Sequence, residues 1–166
     1  MTLAATLRSL NPSGVISHRS SATRIMDTMR MNGSDGFLGA GVTIFGESNR
    51  YDLDLTGEDE VNTGVIVGEA GGETDLSKDA SSPYADNQKV LLMIPMPADV
   101  FYMCAKTAAT ITYGKAVQVD GGFVEDTDWS ASESAANIHP LNIPGIALEA
   151  VTGVSGIEAY LKILKV

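Results

Sequence analysis

Four carboxylates fall within nine residues around a glycine pair: Asp120 precedes Gly121-Gly122, and Glu125, Asp126 and Asp128 follow. Two carboxyls on opposite sides of a bond can act as general acid and base, the chemistry of glycoside hydrolysis. Loop acids with no aromatic platform beside them fit the tip of a hairpin better, and Asp-Gly-Gly is a strong hairpin signal. Glu58-Asp59-Glu60 offers oxygen donors for a hard cation. Consecutive side chains do not converge on one point, however, and the spaced Asp-x-Asp-x-Asp-Gly loop is absent, so a solvated acidic turn is the better reading. His18 and His139 lack metal-ligand spacing. The single cysteine, Cys104, sits in the apolar run Phe101-Tyr102-Met103-Cys104-Ala105, the setting of a buried inert thiol. The sequence contains no Gly-x-Ser-x-Gly, no Gly-x-Gly-x-x-Gly and no Gly-Lys-Ser/Thr. We therefore expect no catalytic residue, no cofactor and no bound metal.

The elements that must carry these residues are those of one domain of ordinary size, since the chain has 166 residues. An apolar share of 44% and a mean hydropathy of +0.07 suit a real core, and no apolar run is long enough to cross a bilayer. Eleven basic against 21 acidic residues give a net charge of −10 and a pI near 4.4. That balance disfavours nucleic acid, whose affinity comes from Lys and Arg on phosphates, and no membrane partner is expected. The first ten residues lack the apolar centre of a secretory signal, and one cysteine fits a reducing cytoplasm.

Residues 1–36 stand apart, with Arg8, Arg19, Arg24 and Arg30 against only Asp27 and Asp35. They read as an N-terminal arm. Ser20–Met31 could form one short helix with Ile25 and Met29 on one stripe, ended by Asn32-Gly33. Residues 37–166 read as a β domain. Its first part, 37–87, is acidic and loop-rich, with 11 Asp or Glu against Arg50 and Lys78. Strand candidates there are Val42–Phe45, the alternating Arg50–Leu55 and Val61–Val67. Its second part, 88–166, reads as the barrel core, with strands at 89–96, 99–105, 110–113, 116–119, 123–124, 143–151 and 158–166. Met26, Met29, Met31, Met93, Met96 and Met103 suit core or interface filling. Trp129 lies in the polar loop 125–139 and either caps a core edge or anchors a protein contact. The whole is expected to be mainly β, a small barrel or sandwich with an extended N-terminal arm and little helix.

The order Ile111-Thr112-Tyr113-Gly114-Lys115-Ala116-Val117, Val119-Asp120-Gly121-Gly122-Phe123-Val124, Pro144-Gly145-Ile146-Ala147-Leu148-Glu149-Ala150 and Tyr160–Val166 resembles the C-terminal β unit of tailed-phage head decoration (cement) proteins and related small β-barrel virion proteins. The resemblance covers about a third of the chain. It implies a passive role: a protein made in the host cytoplasm that binds the outer surface of an expanded capsid. As a homotrimer, it would clamp copies of the major capsid protein. Arg19, Arg24 and Arg30 of the arm, with Trp129, are then the candidates for capsid contact. Alternatives are another virion subunit (head fibre, coat or tail tube) or a ligand-binding or hydrolytic β-barrel using Asp120, Glu125, Asp126 and Asp128.

Overall fold

A computed structural model describes residues 16–19, 22–33, 35–45, 52–58, 60–69, 78–127, 142–152 and 159–166. Thirteen strands run through these residues with no α-helix among them, so the mainly β expectation holds. The strands are β1 (Ile16–His18), β2 (Arg24–Met31), β3 (Gly41–Phe45), β4 (Asp52–Leu55), β5 (Gly64–Glu69), β6 (Lys89–Ile94), β7 (Val100–Ala105), β8 (Thr110–Ile111), β9 (Ala116–Asp120), β10 (Phe123–Asp126), β11 (Gly145–Ala147), β12 (Val151–Thr152) and β13 (Ala159–Leu164).

Five of them close a barrel in the order β2-β4-β3-β5-β6. A second sheet runs β1-β7-β10-β9-β11-β13, and β7 pairs again with β13, so its pairings also return on themselves. The reason lies in period-two alternation. Along β7, Phe101, Met103 and Ala105 point into the second body, while Tyr102 and Cys104 point toward the barrel. Along β5, Ile66 fills the barrel, while Val65 and Val67 join the second core; Leu92 and Met93 divide β6 in the same way. Each body thus lends wall residues to the other's core.

The segment between β2 and β3 stitches the two together. Leu38 N–H donates to Lys78 O, Gly39 N–H to Ile66 O and Cys104 N–H to Gly39 O, and the Tyr160 hydroxyl donates to Leu38 O at 2.9 Å. Gly39 has a φ of +82°, and a Cβ there would press on the Tyr160 ring at 2.7 Å, so only glycine lets the chain pass. Phe37 and Phe123 extend the seam, their ring centroids 4.6 Å apart.

Two expectations change. The helix expected over Ser20–Met31 is strand β2, a wall of the barrel paired with β6 and β4. β1 likewise pairs with β7, so the stretch read as an arm supplies two strands to the fold. The strand expected over 89–96 to open the C-terminal core runs Lys89–Ile94 and instead closes the barrel. Both follow from long-range pairing, which local composition does not encode.

Candidate functional site

The hairpin signal is fulfilled. Asp120 faces Phe123 across a two-residue turn in which Gly121 and Gly122 have φ of +57° and +83°, the paired positive values of a type I′ turn. Opposed residues of a hairpin share a face, so Gln118, Asp120 and Glu125 lie together on the face of β9 and β10 opposite the one that sends Val117, Val119 and Val124 into the core. The Lys106 ammonium, leaving the end of β7, donates to Asp120 and, at 2.9 Å, to Glu125. The Gln118 amide donates to the other Glu125 oxygen at 2.9 Å. The bonds to Asp120 and Glu125 hold the lysine well above its usual pKa. This is an ionic staple at the hairpin mouth, and solvent screening limits it, since the lysine side chain is 42% exposed. Asp126, opposite Val117, is not part of it, and Asp128 lies outside the described residues.

The acidic turn at Glu58 is closed by its own members: a Glu60 carboxylate oxygen accepts from Gly57 N–H at 2.8 Å. Among the described residues no group of His, Cys, Asp and Glu is placed to hold a metal ion. Cys104 is buried between the two bodies, and Met29, Met31, Met93 and Met103 fill the cores.

The candidate contact residues are dispersed. Arg19 is exposed on the link between β1 and β2. Arg24 and Arg30 are both exposed on β2, six residues apart, which is about 20 Å along a strand. Moreover, a bulge between Met26 and Met29 separates them. Arg24 stands opposite Ile94, which packs against the barrel core, yet Arg24 itself is exposed. Arg30 stands opposite Lys89 on the outward side. Trp129 and His139 lie outside the described residues. β2 is nonetheless an exposed wall of the barrel, with Arg24, Ile25, Asp27, Thr28 and Arg30 all open to solvent.

Three buried polar arrangements escaped the sequence reading. Asn142 is 1% exposed; its carbonyl accepts from Val119 N–H at 2.8 Å, and its amide donates to the backbone oxygens of Val119 (2.9 Å), Gly57 (3.0 Å) and Glu58 (2.6 Å). One side chain thereby completes the edge of β9 and ties the acidic turn to it. Asp99, fully buried, accepts from the Thr23 hydroxyl at 2.6 and 2.8 Å and from Met96 N–H at 2.8 Å, fixing the start of β2 to the start of β7. The Tyr160 hydroxyl is the third. The signal for Asp99 was present, an acid just after Pro97-Ala98 at a strand entry; Asn142 had none.

No family model matches the chain, and no curated protein matches it. Among solved structures, the chain is similar to the head fibre gp8.5 N base of bacteriophage phi29, at 14% identity and a TM-score of 0.46 over 87% of this chain and 98% of that one.

Proposed function

We propose that this protein is a structural component of a tailed-phage virion, a decoration protein on the outer surface of the head that fastens copies of the major capsid protein. One observation carries the reading. The four stretches whose order resembles the β unit of cement proteins form successive parts of one body. They are the turn from β8, which pairs with β12 in a separate two-stranded sheet but sends Ile111 into the same core, the β9–β10 hairpin with its Asp-Gly-Gly tip, β11 at Gly145–Ala147 and the closing β13. β11 bridges β9 and β13, so hairpin and closing strand belong to one sheet.

The mechanism is linkage. A fastener that binds only the assembled shell stabilises it by mass action, about 2.7 kcal/mol per site at a hundredfold excess over Kd. Many symmetric copies multiply the effect, and a trimer around a local three-fold would bury the edges of the β body. Sedimentation with phage heads tests the proposal. Binding to expanded heads, with none to unassembled coat subunits, is the expected result. Indifference to heads, or turnover of a saccharide lost on Glu125→Gln, would overturn it. Self-assembly into tubes would move the assignment to another virion subunit.

A further inference from the structure

Asn32-Gly33 is the one Asn-Gly dipeptide in the sequence, and it follows strand β2 directly. Such a dipeptide can modify itself. The glycine nitrogen, with no side chain beside it to hinder attack, adds to the asparagine Cγ. A bond forms between Gly33 N and Asn32 Cγ, the nitrogen's proton passes to water, the Cγ–Nδ2 bond breaks and ammonia leaves. Water then opens the cyclic imide at either carbonyl. One opening gives aspartate. The other gives isoaspartate, in which the main chain runs through the side chain and gains a methylene. Asparagine counts among the thermolabile residues.

The fold holds the two reacting groups on different carboxylates. The Asn32 amide nitrogen donates to both oxygens of Asp54, on β4, at 3.2 and 3.3 Å, and Gly33 N–H donates to an Asp86 oxygen at 2.9 Å. The backbone beside them is also tied: Asn32 N–H donates to Leu53 O, and Asn87 N–H to Met31 O, both at 2.9 Å. A carboxylate is far too weak a base to strip a proton from a backbone amide. It opposes the reaction instead, because ring closure builds negative charge on Gly33 N and then on the Asn32 side-chain oxygen, each beside an anion. The place is also structurally exacting. β2 and β4 are in register only at Arg30–Asp52 and Met31–Leu53, and this short parallel ladder closes the barrel. Aspartate at position 32 would set a second carboxylate where an amide donates to Asp54. Isoaspartate would lengthen the main chain just past the Asn32–Leu53 bond.

We infer that Asn32-Gly33 is a latent deamidation site, that Asp54 and Asp86 hold it unreacted in the folded chain, and that its conversion loosens the barrel where β2 meets β4. The inference does not rest on the virion reading, and neither falls with the other.

The test incubates the full chain and its variants at mildly alkaline pH, below their melting temperatures, and follows conversion of amide to acid at Asn32 by peptide mapping and mass spectrometry. The native chain is expected to convert roughly tenfold more slowly than the same chain unfolded in urea, and Asp86→Ala and Asp54→Ala each roughly three- to tenfold faster than the native chain. Asn142→Ala, which weakens the fold without touching the dipeptide, is expected to convert at the native rate. Asn32→Asp is expected to melt below the native chain, and Asn32→Ser, which removes the amide without adding charge, between the two. A native chain that converts as fast as the unfolded one, carboxylate variants that convert at the native rate, or equal acceleration in Asn142→Ala would overturn the guarding role. An Asn32→Asp chain that melts no lower than the native one would overturn the effect on the barrel.

Discussion

At the scale of single residues, the buried polar groups decide stability. Asn142 makes hydrogen bonds to three residues, and nothing but backbone receives them. Asn142→Ala would leave the amide and carbonyl of Val119 without partners in a dry setting, and we expect a loss of about 2–4 kcal/mol in urea unfolding. Asn142→Asp should restore only the bond from Val119 N–H. Lys165 gives a pH-dependent counterpart. Burial pushes its ammonium below the ordinary lysine pKa, so the unfolded chain binds that proton more readily than the folded one. Folding stability therefore rises with pH as the medium passes from the folded pKa toward the unfolded value of about 10.4. Lys165→Met is expected to be more stable at neutral pH and to lose that alkaline rise, as denaturant midpoints at neutral and alkaline pH would show. These groups were the least legible in the sequence, because each acts across a long separation: Asn142 on Gly57 and Val119, Asp99 on Thr23, Tyr160 on Leu38.

At the scale of elements, legibility followed locality. The β9–β10 hairpin could be read from Asp120-Gly121-Gly122 because its turn chemistry is contained in two residues with positive φ. Strand β2 misled for a definite reason. Its bulge places Met26 opposite Leu92 and Met29 opposite Val90, so the inward residues Met26, Met29 and Met31 are spaced by three and then two. That spacing breaks the period-two pattern and, with Ile25 and Met29 four apart, imitates a helix. The stretch 143–151 misled differently: it is two short strands, β11 and β12, in different sheets. Closure of the second sheet rests on the close approach of β11 to β13. A Cβ on Gly145 would overlap the Leu164 carbonyl. Gly145→Ala is therefore expected to cost about 2–4 kcal/mol, since backbone must move. Gly114, in a turn and with nothing near a Cβ, should tolerate alanine at the cost of its positive φ alone, about 1 kcal/mol. Thermal melts of the two variants would separate the effects.

At the scale of the whole molecule, the two closed bodies share their cores through β5, β6, β7 and β13 and are stitched by Leu38, Gly39 and Tyr160. Neither half keeps a complete core without the other. We expect one cooperative unfolding transition, with calorimetric and van't Hoff enthalpies equal. Two separable transitions would show that the bodies fold independently. A pair of bodies joined in this way suits the proposed role of presenting surface, and five of the eight residues of β2 are open to solvent.

The fastener reading comes down to where the chain is found. The decisive measurement is the copy number of this protein in purified phage particles, obtained by quantitative mass spectrometry against the coat protein. A fixed ratio to the coat protein that persists through density-gradient purification and saturates when the protein is supplied in excess is the expected result. Particles that lack the chain, or carry it in amounts that wash away without a plateau, would contradict the proposed role.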